Sequence, residues 1–122
     1  MAQWILIGAI NGFLAVALGA FGAHGLQGKV ADRAFSAFET AAHYHLIHAV
    51  ALVGIGLFIH LSQSQTANWA GWAMLAGMIL FSGTLYHYGI TESRALVMIT
   101  PIGGLLFLTG WALLAFAAWK SL

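Results

Sequence analysis

Charge is almost missing from this chain, and its absence leaves little choice of fold. The 122 residues include only four basic and three acidic side chains. None lies between Met1 and Gly28, and none between Thr40 and Thr91. Soluble domains carry roughly a quarter charged residues; here 6% are charged and 61% hydrophobic. That leaves too little polar surface to cover a water-soluble globule. Inside a bilayer each backbone polar group needs an internal partner, so uncharged apolar runs of about 20 residues become transmembrane helices. The chain is therefore predicted to be an all-α membrane protein.

Four spans are expected, at about 4–23, 45–61, 69–88 and 95–119. The first lacks the basic leader of a signal peptide and its apolar run continues too long for one, so it reads as a membrane helix. Between the first two spans, Asp32, Ser36, Glu39 and His43 recur at spacings of four, three and four. They share one helical face, opposite Ala31, Ala34, Phe35, Phe38 and Ala42. This predicts a short amphipathic interfacial helix before the second span, or one running straight into it. A polar link, Ser62 to Asn68, separates spans two and three. Thr100-Pro101 either starts the fourth helix, with proline in its first turn, or kinks a longer one. The whole chain reads as a single domain.

Helices in lipid approach closely where residues are small. Gly8, Gly12, Gly19 and Gly22 on the first span, Gly77 on the third, and Gly103 with Gly110 on the fourth are the expected packing positions. Trp4, Trp69, Trp72 and Trp119 are expected near one membrane face and Tyr44, Tyr86 and Tyr88 near the other, as aromatic girdles.

Four spans put both termini and the 62–68 link on one side. Lys29, Arg33 and Arg94 fall on the other side, against Lys120 alone. The positive-inside rule then favours cytoplasmic 24–43 and 89–95 segments, with both termini outside. Five of the six histidines (His24, His43, His45, His48 and His87) gather on that second side, with Glu39 and the tyrosines.

Polar groups at membrane depth need a reason. One reading is a structural hydrogen-bond network between helices, with Asn11, Ser82 and Thr84 as further interhelical bonds. A second is a metal or haem bound by imidazoles, with His24 and His48 the residues to hold it. A third is a proton or quinone path using histidine beside carboxylate. No His-Glu-x-x-His pattern, nucleophile elbow or phosphate loop is present. The chain has no cysteine, which excludes disulfides, thiolate metal sites and a cysteine nucleophile. A net charge of +1 without a basic tract gives no reason to expect nucleic acid as a partner.

Several motifs run in order along nearly the whole chain: Gly19-Ala-Phe-Gly-Ala-His-Gly-Leu26, Phe38-Glu-Thr-Ala-x-x-Tyr44-x-x-x-His48-Ala, Phe81-Ser-Gly-x-Leu-Tyr86, and Thr100-Pro-Ile-Gly-Gly104 with Gly110-Trp111. They resemble the domain-of-unknown-function 423 family, small bacterial inner-membrane proteins related to transmembrane protein 256. The resemblance implies an integral inner-membrane protein of three to four helices and brings no activity, substrate or cofactor. It picks out His24, Glu39, Thr40, Tyr44, His48, Ser82, Tyr86, Thr100 and Pro101, and leaves out His43, His45 and His87. The expected function is non-enzymatic: a bundle in the lipid bilayer that self-associates or packs into a larger membrane complex. The alternative is a redox or proton-linked site on His24, Glu39, Tyr44 and His48, using haem, metal or quinone. A small channel or transporter is a further alternative. No catalytic residue and no cofactor is predicted.

Overall fold

The computed structural model describes residues 2–122; Met1 lies outside them. The chain folds into four helices, α1 (Ala2–Leu26), α2 (Asp32–Ser62), α3 (Gln65–Thr91) and α4 (Val97–Lys120), each long and apolar enough to cross a bilayer. No strand occurs among the described residues. This is an all-α membrane protein.

The amphipathic segment is the beginning of α2 itself. That helix has 31 residues, which at 1.5 Å per residue is about 46 Å, well beyond the roughly 30 Å hydrocarbon core. Its first turns therefore stand in the interface, with Asp32, Ser36, Glu39 and His43 exposed and Ala34, Phe38 and Ala42 buried. The Glu92 Oε1 accepts the Ala31 N–H at 2.9 Å, so a carboxylate from the α3–α4 loop caps the helix entry. Negative charge at a helix N-terminus is favourable.

The polar link between spans shrinks to two residues. Gln63 takes the left-handed conformation that ends α2, and Ser64 Oγ accepts the Ala67 N–H at 3.1 Å to start α3. Proline opens rather than kinks the fourth span: Pro101 lies in the first turn of the α-helical segment Thr100–Lys120, after a 3₁₀ turn at Val97–Ile99. Two π-helical turns, Gly22–Leu26 and Met78–Ser82, interrupt the regular ladder of α1 and α3.

Packing is layered by size. Large side chains such as Phe13, Val50, Leu61 and Leu108 point outward and are 60% exposed or more, as suits lipid. The helices touch through glycine. A Cβ on Gly8 would lie 2.7 Å from the Ala49 carbonyl oxygen, and one on Gly103 would run into the backbone of Leu80 and Phe81. Gly22 and Gly77 receive the rings of Phe38 and Phe107, and Gly110 faces Met74. Gly12 and Gly19 meet only ordinary contacts, at 3.9 and 3.7 Å. Two glycines outside the expected set are as crowded against another helix, Gly71 against Trp4 and Gly89 against Phe38, and Gly25 is crowded by Phe21 of its own helix.

Trp4 turns inward from the girdle expected of it. It is fully buried, donates its indole N–H to Asn68 Oδ1 at 2.8 Å and meets Trp72 edge-on at 4.9 Å. It pins the start of α1 to the start of α3. Trp69, Trp72 and Trp119 remain exposed at that end of the bundle.

Candidate functional site: two hydrogen-bond chains on one helix

The buried stripe of α2 repeats every three or four residues through Phe38, Ala41, His45, His48, Leu52 and Ile55. His45 and His48 both fall on it. Three positions apart, they point about 60° apart around the helix, so each ring reaches a different neighbour.

His45 looks toward α1 and α3. Its Nε2 is 2.8 Å from Asn11 Oδ1 and its Nδ1 2.9 Å from the Tyr86 hydroxyl. The Asn11 amide nitrogen donates to the Ile7 carbonyl at 2.9 Å. A carbonyl only accepts, which fixes the amide orientation and makes Oδ1 the atom facing His45. The imidazole therefore donates from Nε2 and accepts the Tyr86 proton at Nδ1. A one-way chain results, from Tyr86 through His45 and Asn11 to a backbone carbonyl, and it crosses three helices.

His48 looks toward α4 and holds the opposite tautomer. The Trp111 indole, which can only donate, gives its N–H to Nε2 at 3.0 Å. Nδ1 then donates to the Tyr44 carbonyl at 2.6 Å. The ring stacks on Phe107 with centroids 3.6 Å apart. Both nitrogens of both buried histidines are thus committed within the bundle.

Shorter bonds complete the layer. The buried Ser82 hydroxyl donates to the Ala41 carbonyl at 2.9 Å, joining α3 to α2. Thr84 directs its single proton to the Leu80 or Phe81 carbonyl, at 2.7 and 3.0 Å. The Thr100 hydroxyl, 2.6 Å away, donates to it and joins α4 to α3.

The predicted site residues therefore separate into two groups. Tyr44, His48, Ser82, Tyr86 and Thr100 sit in or against this layer. His24, Glu39 and Thr40 do not: His24 and Glu39 are exposed and Thr40 is half-buried, and none of the three side chains makes a hydrogen bond or ion pair among the described residues. Among those residues no three His, Cys, Asp or Glu lie close enough to hold one metal ion. His87 Nδ1 is the one buried side-chain nitrogen or oxygen without a partner among the described residues. The reading from sequence passed over His45 and Trp111, and treated Asn11 only as a generic interhelical bond. A simple count along the stripe from Phe38 reaches His45, whereas nothing local couples Trp111 to His48.

Residues 18–104 match the family model described as a protein of unknown function, DUF423. The chain belongs to that family. A UPF0382 membrane protein of Staphylococcus aureus (strain bovine RF122 / ET3-1) is 48% identical over 98% of both chains. The UPF0382 membrane protein YwdK of Bacillus subtilis (strain 168) is 44% identical over the full length of both. No solved structure matches. The DUF423 match covers both hydrogen-bond chains apart from Ile7, Asn11 and Trp111, which lie outside its limits.

Proposed function

We propose that this protein is a non-enzymatic membrane subunit of the bacterial inner membrane, built to associate with itself or with a larger membrane complex. The observation that carries this reading is the commitment of His45 and His48. Three of their four nitrogens make directional bonds to other helices and the fourth bonds the Tyr44 carbonyl of the same helix; bonds of the first kind are how polar side chains hold transmembrane bundles together. The centre is filled by Phe38, Leu52, Ile55, Met74 and Phe107, so a single chain supplies no lumen for a channel. Association is supported by an apolar groove of about 610 Å³ between α3 and α4. Ala73 and Ala76 lie in it beside the indoles of Trp69 and Trp72, a profile into which a neighbouring helix fits.

Purification in mild detergent tests this. The expected preparation is colourless and free of stoichiometric metal, and it migrates above the monomer or in a defined complex on a native gel. Haem or metal in stoichiometric amount, lost in His24→Ala and His48→Ala, would overturn the reading; so would a monomer with no partner.

Orientation follows from the basic residues. Lys29, Arg33 and Arg94 support cytoplasmic 24–43 and 89–95 segments, with both termini outside. Because the chain has no cysteine, single-cysteine variants read this directly. Ser121→Cys is expected to react with an impermeant maleimide in spheroplasts, and Ser93→Cys only after lysis. The reverse pattern inverts the topology.

A further inference from the structure

We infer that the face of α2 carrying Ser36, Thr40, Tyr44 and His48 is a binding site for one phospholipid of the surrounding leaflet, with an amine-bearing headgroup. These four residues follow one another at intervals of four, so they form a single row along the helix. Two cavities open on that row and share Tyr44. The outer one, about 440 Å³, is lined by Ser36, Glu39, Thr40, His43 and Tyr44. The inner one, about 500 Å³, is a cleft between α2, α3 and α4 whose lining includes Tyr44, Phe81, Gly104, Phe107 and Trp111.

The cleft exists because α2 and α4 both pack on α3. Rings bridge the gap between them: Tyr44 and His48 both stack on Phe107, with centroids 6.4 and 3.6 Å away, and Tyr44 also meets Phe81 of α3 at 4.8 Å. A polar chamber at the interface thus leads into an apolar slot facing the bilayer. From Ser36 to His48 the row rises about 18 Å, enough to place a headgroup outside and an acyl chain within one leaflet, whose hydrocarbon half is about 15 Å deep.

The charge of the chamber selects the headgroup. Glu39 is exposed, and no cation pairs with it among the described residues, so it suits an ammonium group. The Ser36 and Thr40 hydroxyls and the His43 ring can donate to the phosphate. Phosphatidylethanolamine satisfies both sets of groups, whereas phosphatidylglycerol would bring a second negative charge to Glu39 without an amine to offset it. This site does not depend on whether the protein associates with other subunits.

The test reconstitutes the full chain in nanodiscs with equal phosphatidylethanolamine and phosphatidylglycerol of identical acyl chains, then counts retained lipids by native mass spectrometry. The wild type is expected to retain phosphatidylethanolamine over phosphatidylglycerol by roughly three-fold or more, a preference within reach of one exposed ion pair. Glu39→Gln is expected to bring that ratio close to one. Gly104→Leu should abolish retention of both lipids, because a Cβ there meets Phe81 only at an ordinary 3.8 Å and the longer side chain fills the slot. Unfolding midpoints of both variants should match the wild type. Equal retention of the two lipids by the wild type, or an unchanged ratio in Glu39→Gln, overturns the proposal. So does retention of a quinone in place of phospholipid.

Discussion

Gly103→Ala is expected to destabilise the bundle by about 2 kcal/mol or more, while Gly12→Ala changes it by less than about 0.5 kcal/mol. Both put one methyl group on a glycine at a helix contact. At Gly103 that methyl meets the backbone of Leu80 and Phe81, which cannot rotate aside as a side chain can. The helix must withdraw, and withdrawal strips the neighbouring contacts at Gly110 and between Thr100 and Thr84. At Gly12 the nearest atom is the Ala49 methyl at 3.9 Å, already a comfortable contact. Alanine's higher helix propensity offsets whatever small crowding the methyl adds at Gly12, which keeps the net change there small. Reversible unfolding in mixed micelles, titrated with SDS, measures both. Equal effects at the two positions would mean that backbone approach does not govern the α3–α4 contact.

His45→Leu is expected to cost about 1–2 kcal/mol by the same measurement, and the loss should be shared with Asn11. Removing the imidazole leaves the Tyr86 hydroxyl and Asn11 Oδ1 without their partner. Unsatisfied buried groups cost about 1–3 kcal/mol in water-soluble proteins. Interhelical bonds in membranes have measured nearer 0.6 kcal/mol, because the unfolded helices find other partners in lipid. The chain has two bonds at His45, which puts the expectation between these limits. Adding Asn11→Leu to His45→Leu should cost less than Asn11→Leu does alone, since the bond is already gone. Strict additivity would show that the two side chains are not coupled. Nitrogen NMR of the labelled histidines offers a direct check, with the proton on Nε2 of His45 and on Nδ1 of His48. The same tautomer at both rings would contradict the directions of the two chains.

Much of the fold was legible before the helices were assembled. Four spans follow from apolar length, and the amphipathic face of Asp32, Ser36, Glu39 and His43 follows from spacing alone. Gly8 and Gly103 stood out as small residues in helices where packing distance matters. What spacing left open was whether the amphipathic stretch is separate from the second span. The helix runs on because Ala34, Phe38 and Ala42 keep one buried stripe continuous from the interface into the membrane. Trp4 stands at the same end of the bundle as Trp69 and Trp72 but turns inward, because a glycine opposite, Gly71, leaves room for its indole.

The polar site divides in the same way. Tyr44, His48, Ser82, Tyr86 and Thr100 could be picked from sequence, but their partners could not. His48 accepts from a residue 63 positions away, and Tyr86 donates to one 41 positions away. Helical spacing shows which residues of one helix lie together and carries no information about which helix lies opposite. His24 and Glu39 were grouped with His48 because all three belong near one membrane side. Nearness to a side is not contact, and the two exposed residues stand away from the buried layer.

The sequence by itself determined the solvent, the number of crossings and the faces that must be buried. These are properties of composition and local period, and lipid enforces them on each helix separately. Tertiary structure alone decided which helices meet, and therefore what the histidines do. Because α1 and α3 meet one side of α2 while α4 approaches the other, His45 and His48 are drawn into separate chains with opposite tautomers. The same placement leaves α2 and α4 apart, and in that gap lies the cleft that Tyr44 joins to the chamber beside Glu39.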